Sequence, residues 1–171
     1  GEENFQKGLQ VYLKKHQYGN AGTEDLWIAL SKVSGKNVKK IMKNWTAKPG
    51  YPLITVLENK NSLKLTQQRF FSSPISTRES KDETLWSIPL DSSLFATKSM
   101  SLSKPKGYLK LNKGETSLIR VNYPSAYLQL LQKPIEGKIL ATEDRFGIIR
   151  DAFVLAESGY SSTVDALKLT I

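Results

Sequence analysis

The chain has 171 residues, a length that allows one ordinary domain or two small ones, and its 39% hydrophobic and 24% charged residues exclude a disordered chain. No apolar run approaches the roughly 20 residues of a membrane-spanning helix. The formal charge of +9 is spread over residues 1–50 and 51–123, each at +5, without interleaved aromatic residues or Cys/His finger spacing, so we expect no membrane partner and no specific nucleic-acid partner.

The first 50 residues show the period of amphipathic helices. One apolar stripe contains Phe5, Leu9, Tyr12, Leu13 and His16. Thr23 is a candidate N-cap of a second helix, and Gly35 is placed to end it. Asn37 is a candidate N-cap of a third helix, which stops before Pro49-Gly50. The pattern predicts three short helices.

The hydrophobic period changes to two at Tyr51-Pro52 and returns to the helical value after Tyr123-Pro124. Short strands are predicted at 53–57, 63–66, 85–88, 94–97, 108–111 and 118–121. Such spacing is typical of an antiparallel β-sandwich. The stretch 72–84 is rich in Ser, Thr and charge, and we expect a mobile loop there.

Three further helices are predicted after Pro124: one near 126–131, one from Thr142 to Ala156, and one from Ser162 towards Ile171. The aromatic residues at helix-face spacing are expected in the core: Trp27, Trp45, Phe146 and Phe153. The predicted fold class is α+β, with short helices, then an antiparallel β-sandwich, then helices. We predict domain boundaries at 1–50, 51–123 and 124–171.

Residues that build catalytic and metal sites are scarce. His16 is the only histidine, which excludes a His-Glu-x-x-His site or a Ser-His-Asp triad within this chain, and a packing or hydrogen-bonding role is expected for it. The absence of cysteine excludes thiolate zinc sites and disulfides and favours the cytoplasm. We predict no catalytic residue, no metal ligand and no bound cofactor in this chain, and the substrate-binding residues stay undetermined.

Neighbouring carboxylates such as Glu24-Asp25 and Glu143-Asp144 are poor acid/base pairs, because adjacent residues on a helix point about 100° apart. Both pairs fall in the first turn of a predicted helix, where the helix dipole stabilises negative charge. We interpret them as helix starts.

Three groups of residues resemble one family when they are taken in order. Tyr18-Gly19-Asn20-Ala21 with Asp25-Leu26-Trp27 is similar to the tail of the catalytic domain of puromycin-sensitive-type zinc aminopeptidases. The run from Gly50 to Val56 resembles that family's passage into its β-sandwich domain. Asp144-Arg145-Phe146-Gly147 resembles the opening of its large helical C-terminal domain. The resemblance covers nearly the whole chain, with gaps near 72–84 and 94–106.

The resemblance implies a full-length parent that removes N-terminal residues from peptides. Its zinc would be held by a His-Glu-x-x-His helix and a downstream Glu, and a Gly-x-Met-Glu-Asn stretch would bind the substrate α-amine. None of these motifs occurs here. The expected role of this chain is therefore non-catalytic: it would join the catalytic and C-terminal domains of a zinc aminopeptidase and be inactive alone.

An alternative is an independent β-sandwich module that binds an acidic partner through its basic surface. Helical apolar patterns at both ends of the chain favour the segment instead. We expect the isolated chain either to self-associate through terminal apolar faces, as a two-fold dimer, or to leave its terminal helices poorly ordered. The residues of those faces are Phe5, Leu9, Tyr12, Leu13, Leu167, Leu169 and Ile171.

Overall fold

A computed structural model describes residues 1–90 and 93–170. The chain divides into two compact units, one from Gly1 to Pro49 and one that begins at Gly50. Helices come first, strands follow and helices end the described chain, which confirms the predicted α+β class. None of the helices in the described ranges is both long and apolar enough to cross a membrane.

The first unit contains α1 (Glu2–Lys15), α2 (Thr23–Ser34) and α3 (Val38–Thr46). α1 and α2 approach closely at Gly8, where an added Cβ would lie 2.5 Å from a methyl group of Leu30. Gly35 ends α2 in the left-handed conformation with a φ of 67°, and the Asn37 side chain accepts a hydrogen bond from the Lys40 amide at 2.9 Å. Both predicted helix boundaries are confirmed.

The N-cap of α2 differs from the prediction. Thr23 is the first helical residue, and the cap is Gly22. The Gly22 amide donates to the Asp25 carboxylate at 2.9 Å, so the side chain of the third helical residue binds back to the cap backbone.

The second unit begins with strands β1 (Pro52–Glu58) and β2 (Ser62–Arg69), and later contains β3 (Ile88–Leu90), β4 (Ser93–Phe95), β5 (Ser99–Ser103) and β6 (Arg120–Asn122). One sheet has the order β5-β2-β1-β6, and β3 pairs with β4 in a second, antiparallel sheet. The first sheet is mixed rather than purely antiparallel, because β6 runs parallel to β1 with Val121 opposite Ile54. That the two sheets pack as a sandwich stays a prediction.

The strands of the structure depart from the predicted ones, most clearly at 108–111 and at β5. Residues 108–111 are irregular, because the amides of Leu109 and Leu111 donate to the hydroxyls of Tyr127 and Tyr123 instead of to a neighbouring strand. Strand β5 was not predicted from its serine-rich sequence, and it forms because it pairs with five residues of β2. Sheet pairing thus overrides weak local preference here.

The stretch 72–84, predicted to be a loop, contains a short helix, α4 (Pro74–Glu79). The Thr77 hydroxyl donates to the carbonyl of Ser158 at 3.3 Å. Gly159 has a φ of 77°, and an added Cβ there would lie 3.2 Å from Pro74. The segment 72–84 therefore packs against Ser158 and Gly159, which directly follow the helix Thr142–Glu157.

The described chain ends with α5 (Ser125–Glu136), α6 (Thr142–Glu157) and α7 (Thr163–Lys168). Helix α6 packs on the sheet through Leu155, which contacts Leu53 and Phe70 in a buried cluster. The rings of Phe70 and Tyr160 stack with centroids 5.8 Å apart. Apolar contacts thereby attach the last helices to the strands.

The buried face of α6 is not the predicted one. Phe146 is 63% exposed and Phe153 is 38% exposed, so neither belongs to the core of the described chain. The buried residues of this helix are Asp144, Gly147, Ile148, Asp151, Ala152 and Leu155. Two carboxylates therefore lie on the inner face, where they find the hydrogen-bond partners described below.

A buried glutamine links the two sheets. Gln67 on β2 is 2% exposed, and its side-chain oxygen accepts the amide of Trp86 at 2.9 Å. Its side-chain nitrogen donates to the carbonyls of Trp86 at 3.1 Å and Thr97 at 2.8 Å. The Gln67 side chain thus hydrogen-bonds backbone groups of Trp86, which precedes β3 in the sequence, and of Thr97, which follows β4.

We predict that Gln67→Leu lowers the free energy of unfolding by about 1–3 kcal/mol, because it leaves the Trp86 amide buried without a partner. Chemical denaturation measures the change. Gln68→Leu is the control, since Gln68 is exposed on the same strand and should change stability by less than about 0.5 kcal/mol. Equal effects of the two substitutions would contradict the linking role.

Candidate functional site

His16 follows α1 in the first unit. Its Nε2 lies 3.8 Å from an oxygen of Asp25, too far for a hydrogen bond, and its ring lies 5.4 Å from the ring of Tyr12. The Nε2 atom is buried and has no hydrogen-bond partner within the described chain. The surroundings are those of a packing contact between α1 and α2.

The donor set does not fit a zinc site. Zinc takes about three or four ligands from His, Cys, Asp and Glu, and this sequence has one histidine and no cysteine. Across residues 1–90 and 93–170, no three such side chains are grouped so that they could hold a metal ion. That this chain contributes no catalytic residue and no metal ligand stays a prediction.

Asp25 and Asp82 each accept hydrogen bonds from groups close to them in the structure. Asp25 binds the Gly22 amide, as expected of a helix start. Burial alone would raise the pKa of Asp82, but hydrogen bonds from Thr84 and Arg69 outweigh it and hold that pKa below its ordinary value. Asp82 therefore stays ionised next to Arg69, at 3.2 Å.

A cluster of buried and half-buried charged side chains joins α6 to β6 and to the segment before it, and we call it the docking cluster. Its three cations and three anions are Lys110, Arg120, Arg150, Glu115, Asp144 and Asp151. The formal charges balance. Burial of charges is costly unless each one is paired and hydrogen-bonded, so the partners of each carboxylate decide whether this arrangement is stable.

Asp144 anchors the start of α6. Its carboxylate accepts the amide of Gly114 at 2.7 Å and lies 3.3 Å from the Lys110 ammonium group. The side chains of Asp144 and Lys110 are 3% and 6% exposed. Gly114 belongs to a 3₁₀ turn at Lys113–Glu115. The first turn of α6 is thereby tied to the segment that precedes β6.

Asp151 anchors the middle of α6 to the sheet. One oxygen accepts from Arg120 Nη1 at 2.7 Å, and the other accepts the backbone amide of Val121 at 2.9 Å. Burial would lower the pKa of Arg120, but Asp151 and Tyr51 outweigh burial and raise it, so the guanidinium stays charged. The Asp151 carboxylate therefore takes part both in a hydrogen bond with the backbone of β6 and in an ion pair with Arg120.

Gly147 lies between the two aspartates on the same face of α6. An added Cβ would lie 2.2 Å from a carboxylate oxygen of Glu115. The same carboxylate accepts from Arg150 Nη2 at 2.6 Å and pairs with Lys110. The missing side chain at Gly147 lets Glu115 contact the helix surface.

Two stacked tyrosines complete the attachment of the segment before β6. The hydroxyls of Tyr123 and Tyr127 accept the amides of Leu111 and Leu109, both at 2.7 Å, and the rings lie 5.4 Å apart. Burial raises the pKa of both phenols, which therefore remain neutral hydrogen-bonding groups. Residues 109–111 are therefore held in place by the side chains of Tyr123 and Tyr127.

Together these contacts fix the position of α6 on the sheet. Sequence reasoning assigned Asp144 to a helix start, which is correct for its position, and it missed the buried role of Asp151. A signal was present: Asp144, Gly147 and Asp151 have the spacing i, i+3, i+7 of one helix face. Two acidic residues on a face with glycine at its centre indicate a polar docking surface.

Two known families match parts of this chain. Residues 1–45 match the family described as "Peptidase family M1 domain", and residues 108–171 match "ERAP1-like C-terminal domain". The chain is 38% identical to "Aminopeptidase 2" of Candida albicans, an alignment that covers 99% of this chain and 20% of the relative. It is 35% identical to "Puromycin-sensitive aminopeptidase" of Caenorhabditis elegans, with 98% of this chain and 20% of the relative covered.

A third relative, "Tricorn protease-interacting factor F2" of Thermoplasma acidophilum, is 34% identical over 98% of this chain and 21% of its own length. The chain thus spans about a fifth of the length of the curated relatives it matches. The chain thus contains part of a peptidase-family domain and part of an ERAP1-like C-terminal domain. The chain belongs to the M1 aminopeptidase family, which confirms the resemblance found in the sequence.

We predict that Asp151→Asn lowers the free energy of unfolding of the second unit by about 3 kcal/mol, because it removes the charge that pairs Arg120 and Arg150 beneath α6. Amide hydrogen exchange at Val121 and along α6 should speed up together. Glu157→Gln is the control, since Glu157 is exposed on the same helix. Similar losses in both variants would show that Asp151 has no special anchoring role.

Proposed function

We propose that this chain is a non-catalytic segment of a zinc-dependent aminopeptidase whose full-length parent removes N-terminal residues from peptides. The names of its relatives support a parent that is an aminopeptidase. The match of residues 1–45 to a peptidase domain and of residues 108–171 to a C-terminal domain supports a position across the junction of the two. The peptide substrates belong to the parent, and this chain alone is inactive.

The role we propose for the segment is architectural. In the parent, residues 1–50 form the helical tail of the catalytic domain, 51–123 a β-sandwich spacer, and 124–171 the start of the helical C-terminal domain. The docking cluster is the observation that supports this role, because it attaches α6 to β6 through a backbone amide as well as through ion pairs. A spacer fixed in this way would seat the C-terminal domain at a defined position.

Zinc in the parent would be held by residues outside this sequence, since the side chains present here do not fit a zinc site. As a bound Lewis acid, zinc would polarise the scissile carbonyl and activate a water. We place the parent in the cytoplasm, in line with the absence of cysteine. The dispersed positive charge supports no specific nucleic-acid partner, and any such binding would be salt-labile.

Metal analysis and an aminopeptidase assay test this proposal. We expect the full-length parent to retain one zinc per chain after dialysis against a weak chelator and to hydrolyse an amino-acid arylamide. The 171-residue chain should do neither. Stoichiometric zinc or turnover in the isolated chain would refute a non-catalytic segment, and a parent without either property would refute the parental activity.

We also propose that the isolated chain self-associates through apolar side chains of α1. Phe5 is 55% exposed and Leu13 is 62% exposed, while Leu9 and Tyr12 on the same stripe are half-buried. The second face that the sequence suggested is less apolar at its surface: Leu167 is exposed, Leu169 is buried, and Ile171 lies outside the described residues. Large exposed apolar side chains favour association.

We predict that Phe5→Ser with Leu13→Ser shifts the monomer–dimer midpoint to a concentration at least about tenfold higher, because two large apolar side chains no longer leave water on association. Light scattering over a dilution series measures the midpoint. Leu57→Ser is the control, since Leu57 is an exposed leucine of β1. A wild-type chain that is monomeric at high concentration would contradict the proposal.

A further inference from the structure

The first unit has a strongly basic surface at α3. Six lysines and no acidic residue lie between Asp25 and Glu58. Three of them, Lys36, Lys40 and Lys43, are exposed and form no ion pair within the described part of the chain. Positive charge is therefore in excess at α3, whereas the charges of the docking cluster balance.

The lysine patch, as we call it, consists of Lys36, Lys39, Lys40 and Lys43. Lys39 alone has a carboxylate partner among residues 1–90 and 93–170, namely Glu24 at 2.8 Å. Both of these side chains are about half exposed or more, so solvent screens their attraction and the pair contributes little. The patch as a whole is left without compensating negative charge.

Lysines in the first turn of α3 are unfavourable for the helix itself. The N-terminus is the positive end of the helix dipole, where anions are stabilising and cations are not. Helices α1, α2 and α6 follow this rule with acidic residues in their first turns. The first turn of α3 contains Lys39 and Lys40 and no acidic residue. A broken local rule without a strong compensating contact is expected where a surface serves binding.

The apolar side of α3 argues against a membrane partner. Val38, Ile41, Met42 and Trp45 are half-buried, and no large apolar side chain of α3 is exposed. The helix packs against α2, where the Ser31 hydroxyl accepts the Val38 amide at 3.0 Å. A helix that binds a membrane surface inserts an apolar face into the lipid. The face of α3 that meets water is formed by lysines instead.

The composition of the lysine patch also argues against nucleic acid. Proteins that bind single strands stack the bases on exposed aromatic side chains, and α3 exposes none. Arginine, which pairs bidentately with phosphate, is absent from residues 1–68. The remaining anions of matching charge are the carboxylates of another protein.

We propose that the lysine patch binds an acidic helix of a separate partner protein. Lys39 and Lys43 lie one helical turn apart, and Lys40 lies on the same face, three positions before Lys43. A helix with carboxylates at every third or fourth position has the same spacing. Exposed lysine–carboxylate pairs are individually weak, so the complex is transient and sensitive to salt. Binding at this surface does not depend on the activity proposed for the parent.

Fluorescence anisotropy with a labelled peptide tests the site. The probe is an alanine-based helix with glutamate at every fourth position, and its control has glutamine at those positions. At low salt we expect the 171-residue chain to bind the glutamate peptide at least about tenfold more tightly. The full-length parent should bind it equally well, since the partner is a separate protein.

Three results would overturn the proposal. The first is equal binding of the glutamate and glutamine peptides. The second is tighter binding of a DNA oligonucleotide of equal charge, or of phosphatidylserine vesicles, than of the glutamate peptide. The third is loss of peptide binding in the full-length parent, which would show that another part of the parent covers α3.

Matched variants separate the lysine patch from the overall charge. The patch variant combines Lys36→Gln, Lys40→Gln and Lys43→Gln. The control variant combines Lys60→Gln, Lys98→Gln and Lys106→Gln, which removes the same charge from exposed lysines of the second unit. The patch variant should bind the glutamate peptide about tenfold more weakly, and the control variant should change the affinity less than about threefold. Its unfolding temperature should not fall, because a cation leaves the first turn of α3. Equal affinities of the two variants would contradict a site at α3.

Discussion

The second unit depends on the pairing of two carboxylates that α6 buries. Asp144 and Asp151 each combine a backbone amide with a cation, and the amides belong to Gly114 and Val121 on segments fixed by other contacts. An unpaired carboxylate at either position would be strongly unfavourable. The helix therefore has one position at which both are satisfied, and the burial of Leu155 against the sheet occurs in that position.

Stability and position come from different contacts in this unit. Removing ions from water costs about as much as their mutual attraction returns, so a buried ion-pair cluster is weak evidence for net stability. Burial of apolar side chains such as Leu53, Phe70 and Leu155 supplies the larger favourable free energy. Apolar contacts alone tolerate small shifts, whereas two hydrogen-bonded carboxylates do not, and this difference explains why α6 buries two aspartates among its apolar residues.

Several local features follow from the sequence because their causes are local. The alternation in 53–57 predicts β1, and the Asn37 cap and the Gly35 terminus are confirmed. The spacing of 108–111 suggests a strand, but the hydroxyls of Tyr123 and Tyr127 take its amides instead. The sequence also predicts a helix that contains Asp144 and Asp151. Its apolar stripe, however, predicts that Phe146 and Phe153 face the interior, whereas in the structure the two aspartates do.

The sequence by itself determined the succession of helices, strands and helices, several helix ends and membership of the M1 aminopeptidase family. Only the tertiary structure decided that β6 pairs parallel to β1 and that α6 turns its aspartates inward. The physical reason is that a hydrophobic pattern assigns a side chain to the interior or the surface from its own free energy of transfer out of water, without regard to its partners. The cost for Asp151 is offset by Arg120 and Val121, about thirty residues away in the chain, and no local pattern contains that distance.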